Sequence, residues 1–159
     1  MENYSETQDH SSMVAGVPLL VQAVTAAEVQ ALLRQIGYRV VANTDEAGRP
    51  QLCSATSGVP FFLRFGNAGV VPDTFVDFTF CALLRLEGGS PAQLTDDWNA
   101  SRRFARLHRS GELLVLQMDV SVAGGVSADH LACFVEIWDR LLNDLLRVLR
   151  DRTPPPAAG

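Results

Sequence analysis

The chain has 159 residues, 47% of them apolar and 19% charged, which suits one domain with one real core and argues against a wholly disordered protein. Its formal charge of -5 argues against a general nucleic-acid binder, because phosphate binding draws on Lys and Arg; all thirteen basic residues are Arg. Cys53, Cys81 and Cys133 are widely spaced inside apolar segments, so they are expected to be small buried hydrophobes in a reducing compartment. The apolar run from Val14 to Val24 is broken by Pro18 and follows no basic segment, so neither a signal peptide nor a membrane span is expected. The expectation is a soluble cytoplasmic protein that touches no membrane.

Residues 1–20 read as a disordered polar arm, 21–151 as a single domain and 152–159 as a disordered Pro-rich tail. Thr25-Ala26-Ala27-Glu28 has capping-box spacing, with Val24 and Val29 as an apolar staple. Val29, Leu32, Leu33 and Ile36 share a helical face, and Gly37 is placed to end that helix in a left-handed conformation. From Tyr38 the period is two. Arg39 to Thr44 and Gln51 to Thr56 flank the turn Asp45-Glu46-Ala47-Gly48. Gly58 and Pro60 interrupt the pattern before Phe61 to Phe65, so residues 51–66 are either one broken strand or two. Val76 to Leu86 alternates cleanly and reads as a long strand inside the sheet.

Ser90-Pro91 supplies a cap and a proline for a helix running to about Arg103. Phe104 to Arg109 and Leu113 to Val122 flank Ser110-Gly111-Glu112 as a hairpin, with Leu114, Leu116, Met118, Val120 and Val122 toward the core. Gly124-Gly125 reads as a corner, and Ser127 caps a last long helix whose first turn carries Asp129. Leu131, Phe134, Val135, Trp138, Leu141, Leu142, Leu145 and Leu149 form its broad apolar stripe. The fold class is therefore α+β: an antiparallel sheet of five to six strands with three helices, in the order α-β-β-β-α-β-β-α when 51–66 counts once.

No stretch of the chain supplies a catalytic constellation. Trp98 shares a face with Leu94, and Arg102 one turn on is placed to stack on its indole. Arg102, Arg103, Arg106 and Arg109 form a basic cluster near Asp96, Asp97 and Glu112, which reads as a solvated, internally paired face. Asp119 lacks a partner for acid–base work, so a hydrogen bond to the central helix or to a second subunit is expected. His10, His108 and His130 share no metal-ligand spacing, and no Ser or Cys lies in a nucleophile motif, so no cofactor, metal or enzymatic activity is predicted.

Trp98-Asn99 with Arg102-Arg103-Phe104, the hairpin into Leu116-Gln117-Met118-Asp119, and Gly124-Gly125-Val126-Ser127 with Leu131 together resemble the YbjN-like proteins. The resemblance spans about Thr25 to Arg150. It implies a fold similar to type III secretion chaperones, a common homodimer, and a non-enzymatic regulator that holds an extended protein segment. The apolar stripe of the last helix plus Trp98 is more apolar surface than a chain this size is expected to need. Trp98, Asn99, Arg102, Arg103, Asp119 and Trp138 are accordingly the candidate residues for a dimer or partner interface. The alternative expectation is a sensor whose cavity between sheet and helices binds an anionic metabolite read by Arg102 or Arg103.

Overall fold

The computed structural model describes residues 19–86 and 92–152. Residues 1–18 of the arm expected over 1–20, the Ser90-Pro91 cap and residues 153–159 of the tail expected over 152–159 lie outside these residues, and Arg152 belongs to the last helix. Three helices, α1 (Ala26–Ile36), α2 (Ala92–Ser101) and α3 (Ala128–Arg152), accompany six strands: β1 (Val41–Thr44), β2 (Pro50–Thr56), β3 (Val59–Phe65), β4 (Asp77–Arg85), β5 (Ala105–Ser110) and β6 (Leu113–Ser121). The strands form one antiparallel sheet in the order β1-β2-β3-β4-β6-β5.

The local signals that specify α1 act as expected. Thr25 accepts the Glu28 N–H at 3.2 Å, Glu28 reaches back to the Thr25 N–H at 2.7 Å, and Gly37 closes the helix at φ 110°. Residues 51–66 form two strands, because Ser57 and Gly58 both take positive φ (52° and 78°) and make a two-residue hairpin turn. Pro60 is tolerated in β3 because pairing with β4 begins only at Phe62, so no ladder bond needs its missing N–H on that side. Gly111, at φ 58°, turns the β5–β6 hairpin.

One face of the sheet is covered. Leu52, Phe61, Leu63, Phe78, Phe80, Leu114, Leu116, Met118 and Val120 point toward the helices and are buried. Trp138 of α3 is 0% exposed, stacked on Phe80 (5.3 Å) and edge-on to Phe61 (5.7 Å). Leu131, Val135, Leu141, Leu142 and Leu145 complete the buried side of α3. The apolar stripe is thus absorbed within one copy of the chain: a helix of 25 residues crosses the sheet and needs no second subunit to cover it. Among the described residues no helix packs on the opposite face, and no helix is long and apolar enough to cross a membrane.

Because Trp138 joins α3 to β3 and β4, Trp138→Ala is expected to destabilise the protein by about 3–5 kcal/mol, the range for large buried aromatics. Urea unfolding of the two proteins measures this, and a loss below about 1 kcal/mol contradicts the packing role.

Candidate functional site

The candidate residues separate into two environments. Trp98 is 3% exposed, and its indole N–H donates to the Ala105 carbonyl at 3.1 Å. The Asn99 side chain donates to the Leu107 carbonyl (2.8 Å) and accepts the Leu107 N–H (2.9 Å), so it pairs with β5 as a neighbouring strand would. Arg102 lies over the Trp98 ring at 5.5 Å and 3.9 Å from the Asp144 carboxylate on α3. These contacts fasten α2 to the outer edge of the sheet, and Trp98 and Trp138 are packing residues in the folded chain.

Arg103 lies over the ring of Phe104, which is 59% exposed, at φ 73°, and edge-on to Phe134. The expected pairing of the Arg cluster with Asp96, Asp97 and Glu112 is not what forms. Arg106 pairs with Asp119, Arg102 with Asp144, Arg85 with Glu112 and Arg152 with Asp97. Strand register decides the first, because Arg106 and Asp119 belong to the same face of adjacent strands.

Asp119 therefore bonds within its own sheet, where the expectation was the central helix or a second subunit. It accepts the Thr79 hydroxyl at 2.6 Å and the Arg106 guanidinium at 2.6 Å. Burial pushes its pKa up, but the hydrogen bonds from Thr79 and Arg106 outweigh it and hold the carboxyl below its usual range.

These residues belong to the uncovered face, whose side chains lie in register across the sheet. Val41, Cys53, Phe62, Cys81, Gln117 and Arg106 are opposite one another in successive strand pairs. On one side of that row run Asn43, Gln51, Arg64, Thr79 and Asp119; on the other are Ala55 with Pro60, and Leu83 with Val115 and His108. The face is polar along one margin and apolar along the other, and Val41 (65%) and Leu83 (43%) stand in solvent. Burial raises the Cys81 pKa, so this thiol is a packing group, as expected; Cys133 is exposed on α3, against expectation.

A groove of about 900 Å³ opens at the β1–β2 edge, walled by the end of α1, β2 and α3. Tyr38 (3.1 Å) and Thr56 (2.5 Å) donate their hydroxyls to Asp139, and the Asn143 amide reaches the same carboxylate at 3.3 Å. Burial first, then the Asp139 charge, push the Tyr38 hydroxyl up to about 12, so it stays a neutral donor at physiological pH. Sequence reasoning missed this group because Tyr38 and Asp139 are 101 residues apart. The cavity expected at Arg102 or Arg103 is not here: Glu136, Asp139 and Arg39 are the charged residues lining the groove, at the edge opposite α2. Among the described residues, no group of three or more His, Cys, Asp or Glu is placed to hold a metal.

The comparisons agree with this architecture. The model of the YbjN family, described as "Putative bacterial sensory transduction regulator", matches residues 8–151. The chain belongs to the YbjN family. A crystal structure of YbjN from E. coli, described as "a putative transcription regulator", superposes with a TM-score of 0.55 at 19% identity, covering 78% of this chain and 89% of that one. At that identity the likeness establishes the shared α+β fold. No curated protein matches the sequence. Membership of the YbjN family supports a regulatory role.

Two substitutions probe the site's architecture. The folded pKa of Asp119 lies below its unfolded value of about 3.9, so the carboxylate stabilises the fold above that pH, and the contribution is lost as pH falls through the depressed value. Asp119→Asn is expected to be less stable than the wild type at neutral pH, and the gap should close in strong acid; denaturation midpoints across a pH series test this. Asn99→Ala removes both bonds to Leu107, costs about 1 kcal/mol and bares the β5 edge, so concentration-dependent light scattering should rise.

Proposed function

We propose that this YbjN-family protein is a non-enzymatic, homodimeric regulatory module that binds a segment of another protein, in the manner of a chaperone or adaptor. The observation that carries this reading is the one-sided coverage of the sheet. Six strands are packed by helices on one face, while the other presents an in-register surface with Leu83 and Val41 in solvent and Phe62 half-buried.

Such a surface suits association more than chemistry. Its apolar margin offers area to a second copy, and its polar margin holds fixed charges that set orientation. Arg106 and Asp119 are already paired, so they stay ordered when a partner arrives and need no uncompensated desolvation. Asp119 is engaged by Thr79 and Arg106, which fixes its carboxylate in the sheet as a positioned charge.

Leu83→Arg places a charge on the apolar margin without touching the covered face. Native mass spectrometry and sedimentation at high micromolar concentration are expected to find a wild-type dimer and a Leu83→Arg monomer. The melting temperature of the monomeric variant should change by no more than about 2 °C, as for a surface substitution. A wild-type protein that stays monomeric at that concentration, or a variant that dimerises as well as the wild type, overturns the use of this face.

A further inference from the structure

The outer edge of the sheet has a step in it. β3 pairs with β2 as far as Thr56, whereas β1 pairs with it only from Pro50 to Cys53. Antiparallel pairs alternate between hydrogen-bonded and non-hydrogen-bonded. The Asp45 N–H donates to the Arg49 carbonyl, and counting from that pair makes Asn43–Gln51 and Val41–Cys53 the bonded pairs. The same count turns the N–H and C=O of Ala55 outward, toward the position Arg39 would fill if β1 continued. Arg39 has left the ladder, and its carbonyl accepts the Ser54 hydroxyl at 2.9 Å. Among the described residues Ala55 has no backbone partner on that side.

The opposite edge is treated differently. There the Asn99 side chain occupies the N–H and C=O of Leu107, and Trp98 occupies the carbonyl of Ala105. An exposed strand edge is a template for another chain, and this fold closes one edge while leaving a gap in the other.

The gap opens into the groove. Ile36 and Val41 give it apolar walls, and Glu136 and Asp139 face it from α3. Asp139 is met only by neutral donors, and among the described residues neither carboxylate has an ion pair. Arg39 also lines the groove, so one basic residue borders it against two acidic ones. We propose that this gap receives an extended segment of a partner protein, pairing its backbone with Ala55 and directing a Lys or Arg side chain to Glu136 and Asp139. The stem of that side chain packs along Ile36 and Val41, and main-chain bonds supply affinity while the carboxylates select the basic residue. This identifies a site and a partner chemistry for the protein-binding reading above, and rests on it.

The test titrates the isotope-labelled full chain with acetyl-Thr-Val-Lys-Val-Thr-amide, and with the same peptide carrying Glu or norleucine in place of Lys, followed by amide NMR shifts. The Lys peptide is expected to shift Ala55, Val41 and the α3 amides around Glu136, and to bind more tightly than either counterpart. Glu136→Gln should weaken the Lys peptide about two- to fivefold, the range for an exposed ion pair, and leave the norleucine peptide unchanged. Ala55→Pro should abolish the shifts for all three. Because proline in a strand can disturb the sheet, Glu136→Gln on the exposed helix face is the variant that decides.

Equal affinity for the Lys and Glu peptides overturns the inference, as do shifts confined to the surface around Leu83. Lysine amide alone binding as tightly as the peptide also overturns it, in favour of a small-amine site. A protein that dimerises through the Leu83 face but shows no shift at Ala55 keeps the protein-binding reading and loses this site. Shifts at Ala55 in a monomer support this site and overturn only the dimer.

Discussion

The contact on which the rest depends is the seat of Trp138 on Phe80 and Phe61. It joins the middle of α3 to the central strands β3 and β4, and Tyr38, edge-on to Phe61 at 5.8 Å, brings the end of α1 into the same cluster. Aromatic groups of this size supply most of the area that a single-layer sheet can bury. With α3 held there, its remaining apolar residues fall on β6 and α1, and the covered face is complete. The opposite face is left open as a consequence, because the three helices are committed to the same side.

That one-sidedness gives the two edges different problems. α2 hangs over β5, and its Trp98 and Asn99 reach the strand's backbone directly, so the edge is closed by side chains in place of a seventh strand. At the other edge β1 is short because Gly37 ends α1 in a left-handed turn and Tyr38 is drawn inward toward Asp139. Only after Val40 is the chain free to run along β2, by which point three residues of β2 have gone uncovered. The step, the groove and the Asp139 network thus have one origin in the way α1 is joined to the sheet.

Much of this was legible in the sequence, and what was not has a physical reason. Thr25, Glu28 and Gly37 fix α1 through contacts three to four residues apart, and β4 and β6 alternate so regularly that their buried face follows from period alone. Ser57-Gly58 was ambiguous because Pro60 reads as an interruption until one knows where β4 stops pairing. Trp98 and Trp138 looked like surplus apolar surface, since a stripe shows how much a helix wants to bury and not how much the sheet can cover. The salt-bridge partners were misassigned because nearness in sequence was used where strand register decides, as Arg106 with Asp119 shows. The groove left no signal at all: Tyr38 comes from the link between α1 and β1, Thr56 from β2, and Glu136 and Asp139 from α3, and only the packed fold brings them together.

The open face and the groove are also built with different electrostatics. On the open face the prominent charges are paired, Arg106 with Asp119 and Arg85 with Glu112, at 2.6 and 3.3 Å. Exposed pairs of that sort add little stability, but they fix side chains, and Arg64 on the same face lies over the Phe62 ring at 5.7 Å. In the groove Asp139 is satisfied by hydroxyls and an amide, which stabilise its charge without cancelling it. A charge held by neutral donors keeps its field, and in a concave, partly desolvated setting that field is stronger than at an open surface. The molecule thus has an open face whose prominent ion pairs are internal and a groove whose Asp139 meets only neutral donors, and the two adjoin at Val41, which is exposed on the face and also lines the groove.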